Sequence, residues 1–167
     1  MIACVDVTYR DSGAIAVCVL FHTWTDAGSA GEYVKKIDHV ENYRPGEFYL
    51  RELPCILLVL GEVREPLEAV VVDGYVWLGE ESRPGLGAKL YDALGRVAPV
   101  VGVAKSYFSG TTGAIPVLRG RSLRPLFVTA AGMAPEKAAN CIRLMHGNYR
   151  IPTLLKRVDR LSREIHD

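Results

Sequence analysis

Three carboxylates interrupt or end otherwise apolar stretches of this sequence. Asp6 lies in Ile2-Ala3-Cys4-Val5-Asp6-Val7, Glu52 in Tyr49-Leu50-Arg51-Glu52-Leu53-Pro54, and Asp73 ends Ala69-Val70-Val71-Val72-Asp73. A buried acid is costly unless a partner compensates its charge, and carboxylate oxygens are ligands that Mg²⁺ and Mn²⁺ prefer. A metal ion held by acids from separate elements suggests phosphodiester chemistry, in which the ion activates a water and stabilises charge developing on the phosphate.

The elements that must position these acids begin with a hairpin. Two apolar runs, 2–10 and 14–21, flank the turn signal Asp11-Ser12-Gly13, which predicts a pair of antiparallel strands. Residues 32–40 are expected to add a third strand. The run from Glu68 to Asp73 is a short apolar strand, typical of the interior of a sheet. We therefore expect the side chains of Asp6 and Asp73 to emerge at strand ends or at an edge.

The third acid is predicted to lie on a helix. Apolar positions between Glu47 and Val63 recur at helical spacing, and Pro54 should kink this helix close to Glu52. In the rest of the sequence, predicted helices alternate with predicted strands. The pattern predicts helices over 84–94, 136–145 and 153–165, strands over 97–103 and 126–129, and a glycine-rich, partly extended stretch over 106–124. This order predicts an α/β fold with a mixed β-sheet flanked by α-helices.

Length and composition favour one globular domain over residues 1–167. The chain is 49% apolar and 23% charged, and no stretch approaches the roughly 20 consecutive apolar residues of a membrane span. Met1 leads directly into a strand-like run without the features of a secretory signal. We therefore expect no membrane association and a cytoplasmic location. Cys4, Cys18, Cys55 and Cys141 occur singly in apolar stretches and are interpreted as small buried side chains.

Basic residues crowd the last third of the chain although the formal net charge is only +1. This asymmetry suits a polyanionic partner, while a solvated face of the last helix would explain part of it equally well. The crowded residues are Arg119, Arg121, Arg124, Lys137, Arg143, Arg150, Lys156, Arg157, Arg160 and Arg163.

One further lysine is placed where its charge needs a partner. Lys105 follows the buried strand predicted to end at Val103, and an unpaired ammonium there would be costly. A phosphate is one natural partner, and an ion pair with one of the three acids is the other.

The motifs together resemble a known family. Acids on the first strand, a helix and a later strand are typical of the ribonuclease H-like fold, and the sequence is similar to the endonuclease V family, which cuts nucleic acid near deaminated adenine, that is inosine. The resemblance extends over nearly the whole chain. It is carried by Val5-Asp6-Val7-Thr8-Tyr9, Asn42 to Pro54, Val72-Asp73-Gly74, Gly102-Val103-Ala104-Lys105-Ser106 and Tyr149-Arg150-Ile151-Pro152.

This resemblance implies the roles of the site residues. Asp6, Glu52 and Asp73 would bind a divalent metal ion, Mg²⁺ with Mn²⁺ as an alternative, and would be catalytic. Lys105 would act beside the phosphate or the attacking water. The expected partner is nucleic acid, either DNA or RNA, and no obligate protein partner is evident.

The resemblance also implies a substrate-binding loop. The segment Asn42 to Gly46 resembles the family's wedge, with Tyr43 offering a flat face for stacking, Arg44 a phosphate contact, and Pro45 and Gly46 a turn. An ordinary strand-to-helix turn would look similar. Gly74 would let the backbone approach a flipped base, although a plain turn after a strand would also favour glycine.

Two positions depart from the family pattern. Gly79 and Met133 stand where family members usually carry histidines. Two alternatives to an inosine-directed endonuclease stay open, the first because no residue can be assigned to reading hypoxanthine and the second because of the lost histidines. One is a nuclease for other nucleic-acid structures, and the other is a nucleic-acid-binding protein with impaired catalysis.

Overall fold

The computed structural model describes residues 1–10, 13–42 and 44–165. Its main feature is a seven-stranded sheet in the order β3-β2-β1-β4-β7-β9-β8. These strands are β1 (Ile2–Tyr9), β2 (Ala14–Phe21), β3 (Gly31–Ile37), β4 (Ala69–Asp73), β7 (Val100–Ala104), β8 (Ile115–Val117) and β9 (Leu126–Ala131). A separate two-stranded ribbon joins β5 (Trp77–Leu78) to β6 (Arg83–Pro84).

Helices cover both faces of the sheet. Helices α1 (Phe48–Leu60) and α2 (Leu86–Ala93) pack on one face, and α3 (Pro135–Leu144) and α4 (Thr153–Glu164) pack on the other. Side chains alternate between the faces with the period of two expected of strands. Cys4 and Val71 therefore join the core under α3 and α4, whereas Val5, Val70 and Val72 join the core under α1 and α2.

The centre of the sheet is parallel. Strand β1 pairs with β2 in the antiparallel sense and with β4 in the parallel sense, and β4 pairs in parallel with β7. The carboxyl ends of these three strands consequently meet at one edge of the sheet. The apolar, β-branched sequences of β4 and β7 suit this interior position because both of their faces are covered.

The predicted α/β fold, a mixed sheet flanked by helices, is confirmed, and several boundaries differ from prediction. Strand β7 begins at Val100 rather than Val97, because Pro99 has no N–H to donate to a neighbouring strand. Helix α2 begins at Leu86 rather than Pro84, since Pro84 pairs with Trp77 in the ribbon. The third strand ends at Ile37 rather than Val40, and β9 continues to Ala131 rather than ending at Thr129.

Two further predictions concern single residues. Pro54 lies inside α1, as predicted. Cys4, Cys18 and Cys55 are buried free thiols, whereas Cys141 is only partly buried because it lies towards the outer side of α3. Of the predicted hairpin turn, Asp11 and Ser12 lie outside the described residues.

No helix in the described part of the chain is both long and apolar enough to cross a membrane.

Candidate active site

Asp6 and Asp73 lie side by side at the edge where the parallel strands end. The register pairs Val5 with Val72, so each aspartate is one residue beyond this pair on adjacent strands, which are about 4.8 Å apart. Alternation along each strand turns both carboxylates towards the face covered by α4. Asp73 is the last residue of β4, as predicted. Asp6 instead lies inside β1, one residue beyond the parallel pairing with β4, because β1 continues to Tyr9 against β2.

Asp6 is held in place by the last helix. The Ser162 hydroxyl donates a hydrogen bond to Oδ2 of Asp6 at 2.6 Å and lies 2.7 Å from the Thr8 hydroxyl. Burial raises the pKa of Asp6, the hydrogen bond from Ser162 lowers it, and the negative charges of Asp159 and Asp73 raise it further. The net shift is upward, so the site disfavours the ionised form of Asp6.

Lys105 completes this edge from the neighbouring strand. Its Nζ donates to Oδ2 of Asp73 at 2.6 Å, and both side chains remain about half exposed. The ion pair left open by the sequence is therefore present. The backbone of Lys105 is also fixed, because the Arg150 guanidinium donates to its carbonyl and to those of Arg124 and Pro125, the latter two at 3.0 Å.

Glu52 approaches the same site from α1, on the other face of the sheet. It is only 7% exposed, and within the described part of the chain its Oε2 has no hydrogen-bond partner. Burial raises the pKa of Glu52 to about 8, with further contributions from the charges of Asp6 and Asp73. Among the described residues, this buried acid thus faces two other acids and has no cation paired with it.

The donor set fits a hard divalent cation. Asp6, Glu52 and Asp73 offer only carboxylate oxygens, and the unsatisfied oxygen of Glu52 is the kind of atom that a metal ion would compensate. Among the described residues, no group of three His, Cys, Asp or Glu side chains lies close enough together to form a ready metal cage. Mutual repulsion of the carboxylates opposes such convergence without a cation.

Asp159 is a fourth carboxylate at this edge that the sequence did not reveal. It lies on α4, and its charge contributes to the raised pKa of Asp6. Charged residues are frequent on this amphipathic helix, so in the sequence Asp159 looks like an ordinary solvated residue. In the structure it also pairs with Arg163 at 2.7 Å. The available signal was Ser162, a polar residue that continues the buried stripe of Leu154 and Val158.

A cleft of about 440 Å³ extends from the acids under α4. We call it the α4 cleft. Asp6, Asp73, Asp159 and Lys105 form its polar end, and its deeper walls are apolar. Those walls are formed by Val71 and Val103 from the sheet, Leu155 and Val158 from α4, and Ile151 from the preceding loop; Tyr149, Arg150 and Lys156 also line the cleft.

The predicted substrate-binding loop is partly described. Tyr43 lies outside the described residues. Pro45 and Gly46 form a turn closed by a hydrogen bond from the Glu47 N–H to the Arg44 carbonyl at 3.1 Å, and Gly46 has a φ of +80°. This is the pattern of a type II turn, in which glycine is favoured at the third position. Arg44 is largely exposed.

Gly74 follows Asp73 with a φ of +125°, a conformation that favours glycine. Its N–H donates to the Val103 carbonyl at 3.0 Å, and a Cβ atom at this position would meet no atom within 4 Å. The turn alone therefore accounts for the glycine, and the open space beside it leaves room for a ligand.

The basic last third is less available to a polyanion than its sequence suggests. Arg119 is only 5% exposed and donates to backbone carbonyls rather than facing solvent, and Arg157 pairs with Glu32 at 2.7 Å. At the positions of the missing histidines, the Gly79 N–H donates to Thr111, and Met133 packs against the core under α3.

Comparison with known proteins identifies the family. The family model described as endonuclease V matches residues 1–160. This chain belongs to the endonuclease V family. A comparison with curated proteins gives no match.

Several solved endonuclease V structures share its fold. Endonuclease V from Streptomyces avermitilis is 28% identical, with 97% of this chain and 79% of that chain covered and a TM-score of 0.76. Human ENDOV is 23% identical, with coverages of 98% and 82% and a TM-score of 0.79. Ciona intestinalis endonuclease V, in complex with a 24mer DNA containing an inosine followed by a ribo-adenosine, is 20% identical, with coverages of 98% and 84% and a TM-score of 0.80.

Family membership determines the class of activity. This endonuclease V homologue is a nuclease that hydrolyses phosphodiester bonds in nucleic acid, and nucleases of this family depend on a metal ion. The alternative of a binding protein without nuclease activity is not favoured.

Proposed function

We propose that this endonuclease V homologue cleaves a phosphodiester bond near inosine in DNA or RNA, with Mg²⁺ held by Asp6, Glu52 and Asp73. The family match and the inosine-containing DNA bound by the Ciona relative support the substrate. A nuclease for other nucleic-acid structures is the weaker candidate, because nothing at the site favours it.

One observation carries the proposal. Three carboxylates from β1, β4 and α1 share one edge of the sheet, and the buried Oε2 of Glu52 lacks a hydrogen-bond partner within the described residues. Ionising all three acids without a cation is unfavourable, as the raised pKa of Glu52 and of Asp6 indicates. A divalent cation supplies the compensating charge, and Mg²⁺ suits an all-oxygen donor set. Mn²⁺ is the alternative ion.

When bound, the metal ion activates a water and neutralises charge developing on the phosphate. The protein's own residues have complementary tasks. Ser162 fixes one oxygen of Asp6 through its hydrogen bond and leaves Oδ1 for the ion. Asp159 adds negative charge at the same edge.

Lys105 has two roles in this proposal. In the free protein it compensates Asp73. With substrate bound, its ammonium is positioned beside the phosphate, where a fixed positive charge stabilises the transition state more than the ground state. Arg150 keeps the end of β7 in place through the carbonyl of Lys105.

In this proposal the loop around Pro45 and Gly46 distorts the nucleic-acid strand. Under the same proposal, the ring of Tyr43, which precedes the turn in the sequence, stacks where a base has left the helix, and the exposed Arg44 contacts a phosphate. Gly74, with open space beside it, leaves room for the displaced base.

The test compares strands of identical sequence that carry either inosine or adenine at one position, as DNA and as RNA, with Mg²⁺ or Mn²⁺. We expect cleavage beside inosine, and little at adenine. Asp6→Asn should remove this cleavage, whereas Asp38→Asn, at an exposed residue after β3, should not. Equal cleavage of both strands would favour a nuclease for other structures, and activity in Asp6→Asn would contradict the proposed site.

A further inference from the structure

The α4 cleft is larger than a metal ion and a phosphate need. Its volume of about 440 Å³ lies within the roughly 300–1,000 Å³ of clefts that bind small organic ligands. Its polar lining comes from the acids, Lys105, Tyr149, Arg150 and Lys156, and the rest of the lining is aliphatic and buried, with Val71, Val103 and Val158 at most 4% exposed. The apolar part therefore has capacity for a further group of the substrate.

Aliphatic side chains on opposite sides of the cleft can pack against the two faces of a flat apolar group. Val71 and Val103 lie on the sheet, and Leu155 and Val158 face them from α4. Among the described residues that line the cleft there is no Asn, Gln, Ser or Thr side chain. These aliphatic side chains can hold a nucleobase but cannot read the hydrogen-bonding pattern of its edge, so a contact with them would tolerate any base.

The mouth of the cleft carries groups that bind nucleic acid. The Tyr149 side chain is 76% exposed, and Nζ of Lys156 lies 5.9 Å from the centre of its ring. Within the described part of the chain, Lys156 contacts the Tyr149 ring and has no ion pair with an acid, whereas Arg150 donates from Nε and Nη2 to three backbone carbonyls. The Lys156 ammonium is consequently available to a phosphate, next to an exposed aromatic ring.

The cleft is continuous with the acid site, because Asp6, Asp73 and Lys105 belong to both. A group inside it is therefore a direct neighbour of the phosphate that these residues act on. We propose that the α4 cleft binds the nucleobase of a nucleotide adjoining the scissile phosphate, other than the inosine, unstacked from its neighbours. This inference rests on the proposed function and adds a second, sequence-tolerant base contact to it.

The test uses inosine-containing strands in which each flanking nucleotide in turn is replaced by an abasic residue. Binding is measured by fluorescence anisotropy without metal, and cleavage is measured with Mg²⁺. In the unmodified protein we expect one flanking position at which loss of the base weakens binding by roughly five- to a hundredfold, the range of one base stacked on protein.

Two variants test whether this position acts through the cleft. Leu155→Trp fills the cleft, and Tyr149→Ala removes an exposed ring and so keeps the fold even if the tryptophan is not tolerated. Each should weaken binding of the intact strand, and loss of the flanking base should then have little further effect. Leu144→Trp is the matched control, since Leu144 is exposed at the end of α3 outside the cleft. It should behave as the unmodified protein.

Three results would overturn the inference. The first is cleavage at inosine with no flanking position sensitive to base loss. The second is that loss of the flanking base weakens binding by the same factor in both cleft variants as in the unmodified protein. The third is coupling of the cleft variants to the inosine base itself, because the cleft would then hold the inosine. Failure of the proposed function is distinguishable, since the unmodified protein would then not prefer or cut the intact inosine strand, and the inference would fall with it.

Discussion

At the scale of single residues, Glu52 governs the electrostatics of the site. Its folded pKa of about 8 lies above the ordinary value of 4.5, so between these pH values the folded protein binds more protons than the unfolded chain. Stability without metal should therefore fall as pH rises through this window.

Replacing Glu52 by a neutral side chain should remove this loss of stability at high pH. Glu52→Gln removes the buried charge, so without metal it should melt several degrees above the unmodified protein at pH 8 and at nearly the same temperature at pH 4.5. Thermal unfolding in the presence of a chelator measures this. Glu80→Gln, at an exposed glutamate, is the control. An unchanged pH dependence in Glu52→Gln would mean that Glu52 is not the group responsible.

Ser162 gives a second prediction. Ser162→Ala leaves Oδ2 of Asp6 and the hydroxyl of Thr8 without their shared partner, and loss of a hydrogen bond to a charged group costs about 1.5–3 kcal/mol. Urea unfolding should report this loss. The exposed Ser109→Ala provides the comparison, and equal stability of the two variants would show that the hydrogen bond to Asp6 contributes little.

Residue types alone predicted part of this site. The strand-end position of Asp73 could be inferred, because an acid that follows a β-branched run marks the point where a buried strand ends. Asp6 could not be placed in this way, since β1 continues past it to Tyr9. Asp159 could not, since one acid among the many charges of α4 has the same sequence signature whether it faces solvent or the cleft. The roles of Asp6, Glu52, Asp73, Lys105 and the loop 43–46 stay predictions until they are tested.

At the scale of elements, a buried arginine organises the loop between α3 and α4. Arg119 follows β8 and donates to the carbonyls of Met145, Gly147, Tyr149 and Arg150. The same loop carries Ile151, Tyr149 and Arg150 into the α4 cleft. Its shape therefore depends on one guanidinium with several backbone acceptors.

The third prediction concerns this loop. Arg119→Met keeps much of the side-chain volume but leaves the buried Met145 carbonyl and three partly buried carbonyls without this donor, so it should lower the free energy of unfolding by about 2 kcal/mol. Arg121→Met, at an exposed position in the following turn, should have little effect on stability. Coincident urea transitions of the two variants would contradict a structural role for Arg119.

Elements with strong periodicity were predictable, and short ones were not. The hairpin, β4, α1 and α4 follow from runs of apolar residues with clear spacing. The ribbon of β5 and β6 has only two residues in each strand, too few for any period to appear. The start of α2 was misassigned for the same reason, because Pro84 belongs to that ribbon.

At the scale of the whole molecule, metal binding and folding are linked. An ion that binds only the folded protein at about 100 times its Kd adds roughly 2.7 kcal/mol, which corresponds to about 5–10 °C for a chain of this size. Ionised carboxylates bind the cation best, so the fourth prediction is that stabilisation by Mg²⁺ increases between pH 6 and pH 8. Scanning calorimetry with and without Mg²⁺ checks this, and an equal shift in Asp6→Asn would assign the binding to another site.

Some properties of the molecule remain predictions from the sequence. The single domain over 1–167 and the cytoplasmic location are in this group.

The most direct test of the site is cleavage of a labelled inosine-containing strand by Asp73→Asn, with Asp92→Asn as the matched control. Asp92 is an exposed aspartate of α2 paired with Arg96 at 2.8 Å, away from the acids. With Mg²⁺, Asp92→Asn should cut beside inosine at the rate of the unmodified protein, and Asp73→Asn should lose nearly all activity at every Mg²⁺ concentration. Undiminished cleavage by Asp73→Asn would contradict the assignment of this strand-end site as the catalytic centre.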